Sequence, residues 1–345
     1  MKGTFIISID FEIRWGVMDT KSLSNYGENL RGVRQAIPGM LALFEKYDFK
    51  VTFATVGMLF YGDKKSLLEH LPVRLPSYQN VGLNPYLDIE NIIGEDEASD
   101  PYHYGKSLLE SIIKTKQHEV GSHTFCHYYC LEKGQTIFEF EQDLAAFQRA
   151  ATTLGQTPVS LVFPRNQLRY NYLKSLKKFG YTNYRGNEKS WLFKPRIKSE
   201  ISLWRRSLRF LDAYFNLTGH HLSDEAEIAS EFPFNIRSSR FLRPYLAIFP
   251  FLEPFKISRI KKSMDLAAET GKLYHLWWHP HNFGTNTQKN LDQLESILIH
   301  YSKLKKDYGI TNHTMGSYAQ HLNETYYEQP INRQGTGTET SSSAA

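Results

Sequence analysis

The chain has 345 residues, a formal net charge of +5 and 41% hydrophobic residues, enough to bury a sizeable core in one large α/β barrel-like domain or two medium ones. The basic excess is too small to argue for nucleic acid, and no RNP, helix-turn-helix or zinc-finger pattern accompanies it. No apolar run of about 18 residues marks a transmembrane helix.

In chain order, Thr4–Ile9 reads as a central strand, apolar on both faces, that ends at Asp10-Phe11-Glu12. No basic, apolar and cleavage regions of a signal peptide precede it, so a cytoplasmic location is expected. The spacing of Ile37, Leu41 and Phe44 predicts a helix over 32–47, and 50–56 reads as the next strand. Strand, helix and strand in alternation predict βαβ units in a parallel sheet or barrel. Residues 61–105 hold four prolines and an acidic run, and are expected to be an irregular rim.

A helix is expected over 104–115, and then comes Glu119 to His127, E-V-G-S-H-T-F-C-H. Here the Gly-Ser pair reads as a turn, and His123 and His127 stand at the i, i+4 spacing of one helical turn, from which two imidazoles can address one metal ion. The only cysteines, Cys126 and Cys130, lie in or beside this segment. They fit a reducing compartment and read as small packed residues rather than ligands. Further on, helices are expected over 139–154, 171–179 and 287–308, and strands over 158–163, 181–185 and 272–278. From Lys194 to Lys262 thirteen Lys/Arg stand against seven Asp/Glu, with aromatics interleaved. This stretch reads as an insertion packed on the domain with a solvated basic face, and peripheral contact with an anionic membrane is the sharper alternative. The Gly/Thr/Ser-rich tail, 332–345, is expected to be disordered.

Polar residues gather at three strand ends: Asp10 with Glu12, His123 with His127, and His279 with His281. In parallel α/β folds catalytic groups collect beyond the carboxyl ends of the strands. Asp10 and Glu12, two apart, leave on one face if strand geometry persists. The set suits a metal site with a spare carboxylate for acid–base work.

Ile7–Glu12, Val51–Gly57, Glu119–His127 and Leu276–His279 fall in the order seen in polysaccharide deacetylases of the NodB-homology type (carbohydrate esterase family 4), which the chain resembles over roughly 3–190 and 270–310. The resemblance implies an α/β fold, a distorted (β/α) barrel formed by 1–193 and 263–328, with 194–262 as an inserted aromatic and basic segment. It implies a divalent metal ion, most simply Zn²⁺, held by His123, His127 and one carboxylate, with Asp10 as general base and His279 as general acid. Phe11 stands where the family has a second aspartate, so Glu12 becomes the third ligand. The family's Arg two residues before a proline is also missing. Arg165, just after Pro164, is expected to orient the base or the substrate, and His281 to contact substrate.

The implied activity is removal of an N-acetyl or N-formyl group from an amino sugar in bacterial surface-polysaccharide synthesis. The substrate would be nucleotide-linked, lipid-linked or an oligosaccharide, met in the cytoplasm or at the inner face of the membrane. Two other readings stay open: the same fold acting on a non-sugar C–N bond, which releases no acetate or formate from amino sugars, and a silent glycan binder, which shows no metal-dependent turnover.

Overall fold

The computed structural model describes residues 2–197, 200 and 202–328; the expected tail disorder lies outside them. Within these residues nine parallel strands form one sheet: β1 (Thr4–Phe11), β2 (Thr52–Thr55), β3 (Glu119–Ser122), β4 (Ser160–Val162), β5 (Asn183–Arg185), β6 (Phe234–Asn235), β7 (Arg240–Phe241), β8 (Leu273–Trp278) and β9 (Thr311–His313). Their order is β6-β5-β4-β3-β2-β1-β8-β7, and β9 pairs with Thr4–Ile6 of β1. Every residue of β1 is buried, because strands lie on both sides and helices cover the outer face. Phe5 of β1 packs among Phe49, Tyr274 and Tyr301 with ring centroids 5.2–6.0 Å apart, each buried ring contributing about 1.5–3 kcal/mol.

The two ends of the strand path meet through the chain itself. Only residues 236–239 separate β6 from β7. Ile236 N–H donates to the Tyr184 carbonyl at 3.0 Å, while Ser239 N–H donates to the His275 carbonyl at 2.8 Å. One short segment therefore closes the barrel between β5 and β8. The stretch expected to be an insertion thus supplies two sheet strands. It also supplies the helices Leu203–Tyr214 and Glu225–Ala229, and most of the helix Glu253–Thr270.

The helices are α1 (Leu23–Arg31), α2 (Val33–Lys46), α3 (Lys64–Glu69), α4 (Ile89–Ile92), α5 (Lys106–Lys114), α6 (Ile137–Thr153), α7 (Leu173–Lys178), α8 (Leu203–Tyr214), α9 (Glu225–Ala229), α10 (Glu253–Thr270), α11 (Thr287–Tyr308) and α12 (Met315–Tyr326). The rim 61–105 is irregular apart from α3, α4 and a short 3₁₀ turn. Helix α11 ends where expected, but β9 and α12 follow it. Residues 121 and 122, expected as a turn, continue β3, since Gly121 and Ser122 pair with Ala54 and Thr55 of β2.

Candidate functional site

Asp10 and Glu12 leave the end of β1 into one cavity, while Phe11 between them points the other way and is fully buried in the core. The pleat decides this, since alternate residues take opposite faces. An aspartate at position 11 would face the core, which is why the second carboxylate sits one residue later. After Glu12 the chain turns sharply through Ile13, at φ +43°, a region β-branched residues rarely adopt. It then folds over the Glu12 carboxylate at Gly16, where an added Cβ would stand 2.0 Å from Oε1.

His123 and His127 do not lie on a helix. Beyond β3 the chain forms a tight loop with Thr124 at φ +62° and His127 at φ +61°. Asp143 of α6 pins the loop by accepting the Phe125 and Cys126 backbone N–H groups at 2.6 and 3.1 Å. The loop does what a helical turn was expected to do: the two rings sit 5.0 Å apart. Cys126 and Cys130 are free and buried, and burial pushes both thiols well up, which suits packed residues rather than thiolate ligands.

The donor geometry fits a cation. His123 Nδ1–H donates to the Val162 carbonyl at 2.9 Å, which leaves a lone pair on Nε2 in the neutral ring. That Nε2 faces Glu12 Oε2 at 3.2 Å, and His127 Nε2 faces the same oxygen at 3.0 Å. Burial, against the pull of Glu12, lowers His127 to about 4, so its ring is neutral near pH 7. Lone pairs crowded on a buried carboxylate need a proton or a metal ion among them. Glu12, His123 and His127 offer ligand atoms all within 4.8 Å of one another; Glu12, His279 and His281 form a second such set. Burial raises the Glu12 carboxyl, but His279, His127 and His123 outweigh it and hold the group well below the usual range.

Asp10 is held differently. Arg185, at the end of β5, reaches it with Nη1 on Oδ1 and Nη2 on Oδ2, both at 2.7 Å. Nη1 also meets Ser8 Oγ at 2.9 Å, and Ser8 bonds His275 Nε2 at 2.9 Å. Burial raises Asp10, yet Arg185, with His123 and His279, brings it below its ordinary value. Arg185 was not among the expected site residues. Arg165, expected to orient the base or the substrate, does not reach the base: it pairs with Asp19 and lies 4.2 Å over the Tyr129 ring. It turns away because residue 165 sits at φ +54° in a 3₁₀ turn after β4, though it still lines the cavity.

His279 follows β8. Its Nδ1 lies 3.1 Å from Asn282 Oδ1, and its Nε2 lies 3.5 Å from Glu12 Oε1 and 3.8 Å from Asp10 Oδ2. Asn282 thus anchors the ring where the sequence offered no partner. His281 stacks on His279 at 4.8 Å, and its buried Nδ1 has no partner among the described residues. Burial, and then the His279 charge, lower it to about 3. Asp10, Glu12, His127, Arg165, His279 and His281 line one cavity of about 470 Å³, a size suited to a small ligand.

The polysaccharide deacetylase family model matches residues 31–184. Two solved structures align over almost the whole chain. One, described as a polysaccharide deacetylase of Mycobacterium smegmatis, is 12% identical with a TM-score of 0.54, covering 94% of this chain and 92% of that one. The other, from Pseudomonas aeruginosa PAO1 and described in the same terms, is 12% identical with a TM-score of 0.52, covering 94% and 91%. At that identity they establish the shared fold, a distorted (β/α) barrel of the NodB type. No curated protein matches the chain.

Proposed function

We propose that this chain, of the polysaccharide deacetylase type by its family match and its fold, is a metal-dependent hydrolase that removes an N-acetyl or N-formyl group from an amino sugar. The observation that carries the reading is Glu12, buried between His123 and His127 and within reach of His279. Glu12, His123 and His127 hold the divalent ion, which we assign as zinc from its nitrogen-rich donor set.

When bound, the ion polarises the acyl carbonyl and acidifies water. The protein's own groups do the rest. Asp10, ionised and fixed at both oxygens by Arg185, accepts the proton of the attacking water. His279, held through Nδ1 by Asn282, donates a proton from Nε2 to the departing sugar nitrogen. That nitrogen is a poor leaving group until it is protonated. His281 and Arg165 line the cavity and contact the sugar.

We further propose bacterial surface-glycan synthesis as the setting, in a reducing compartment, with contact at the inner face of the membrane. Support comes from the two free cysteines and from an exposed apolar surface beside basic residues on α8 and α10. The test is acetate and formate release from a panel of N-acylated amino sugars, with and without added zinc. Metal-dependent release that disappears in His279→Ala supports the reading; turnover confined to non-sugar amides overturns it.

A further inference from the structure

The cavity wall built from residues 193–243 carries cations that the described residues leave without carboxylate partners. Arg209 of α8 gives both Nε and Nη2 to the Leu192 carbonyl, at 2.9 and 2.8 Å, and its Nη1 has no acceptor among the described residues. Arg243, two residues past β7, lies 5.4 Å from the Phe210 ring centroid. Its guanidinium makes no hydrogen bond among those residues. Lys194 and Arg196 line the same cavity.

The other arginines nearby are occupied. Arg165 pairs with Asp19, Arg185 with Asp10, and Arg240 with Asp212, which also takes Arg259. Glu188, the remaining carboxyl in this wall, accepts the Trp277 indole N–H at 3.4 Å, and burial raises it. Half-buried guanidinium groups that have lost hydration and gained no carboxylate partner are costly to keep. Burial lowers Arg243 below its ordinary value, Tyr214 opposing it and the charge of Arg209 adding to it. An anion of more than one charge, placed between the two, relieves both costs.

We propose that Arg209 and Arg243 form an anion subsite that holds a phosphate or diphosphate group of the substrate, in the same cavity as Asp10, Glu12 and His279. The substrate is then a phosphate-bearing amino sugar rather than a neutral glycan. That last step rests on the deacetylase reading; the anion subsite itself does not.

The experiment is calorimetric titration of the full chain with inorganic pyrophosphate. Wild type and His123→Ala bind alike, and Arg209→Gln/Arg243→Gln binds at least about tenfold more weakly. Arg243→Lys, which keeps the charge and the fold, retains more of the affinity than Arg243→Gln. Binding lost in His123→Ala yet kept in the double arginine variant would send pyrophosphate to the histidine cluster and overturn the proposal, as would no binding to wild type.

Uridine diphosphate and farnesyl diphosphate, competed against pyrophosphate, separate nucleotide-linked from lipid-linked sources; competition by neither also overturns the subsite. Arginine-dependent binding without hydrolysis of any N-acylated sugar leaves the subsite standing and removes the deacetylase reading. Acetate release from neutral sugars without pyrophosphate binding does the reverse.

Discussion

Arg185 grips Asp10 at two points, with both N···O distances at 2.7 Å and both side chains buried. A two-point pair fixes the carboxylate plane as well as its charge. Lysine offers only a point charge, so Arg185→Lys loses the orientation and keeps the sign. Turnover is expected to fall about 100-fold or more, with metal content unchanged. Arg185 lowers Asp10, so weakening the pair raises it. The acid limb of the kcat/KM profile then moves to higher pH, which a merely structural role would not produce.

Gly16 is predicted to matter through Glu12. A methyl group at residue 16 would stand 2.0 Å from Glu12 Oε1, and the far end of a flexible side chain yields first. Gly16→Ala should therefore stay within about 1 kcal/mol of wild-type stability while its zinc affinity drops about tenfold or more. Thermal melts and metal titration read the two effects separately.

His118 carries the clearest pH dependence of stability. Val51 N–H donates to its Nδ1 at 3.4 Å, Phe44 and Phe53 pack on the ring, and the buried Nε2 has no partner among the described residues. Burial lowers the group from 6.5 to about 4. A histidine held neutral stabilises the fold fully above its unfolded value, and that contribution is lost as pH falls from about 6.5 to about 4. With a discount for its residual exposure, the loss is roughly 2 kcal/mol. His118→Leu should reduce the drop in denaturant stability between pH 7 and pH 4.5; an unchanged drop contradicts the assignment.

Helix α8 exposes Leu203 and Trp204, and the segment before and into α10 exposes Ile248, Phe251 and Phe255, with Phe215 and Phe255 joined at 5.9 Å. Arg205 and Arg206 lie among them. Such a surface suits an anionic bilayer. The protein should co-sediment with vesicles containing phosphatidylglycerol at low salt. Trp204→Ser/Phe251→Ser should weaken this about tenfold or more, and wild type remaining in the supernatant would remove the proposal. Among the described residues no helix is long and apolar enough to cross a membrane.

The barrel was legible where the chain is most regular. The two-sided apolar run of β1, the spacing of α2, α6 and α11, and the strand ends at Asp10, His123 and His279 all carried their signal locally. What escaped the sequence was made by long-range pairing. Arg185 sits in N-Y-R, a strand of three residues, and only the sheet order brings it to Asp10. The segment 234–241 has two-residue strands, too short for periodicity, yet it closes the barrel. The i, i+4 histidines pointed to shared ligation, but their loop rests on positive φ at Thr124 and His127, which no spacing rule reveals. Arg165 likewise sits at a positive φ, +54°, and pairs with Asp19 rather than with Asp10 while still lining the cavity.

Glu12, His123 and His127 are proposed to form one metal centre, and metal content tests that centre most directly. Purified wild type, loaded with zinc and desalted, should carry about one ion per chain. Glu12→Ala and His123→Ala should carry almost none, and both should remain folded. A wild type that retains no metal, with Phe11→Asp alone acquiring it, would contradict the centre described here.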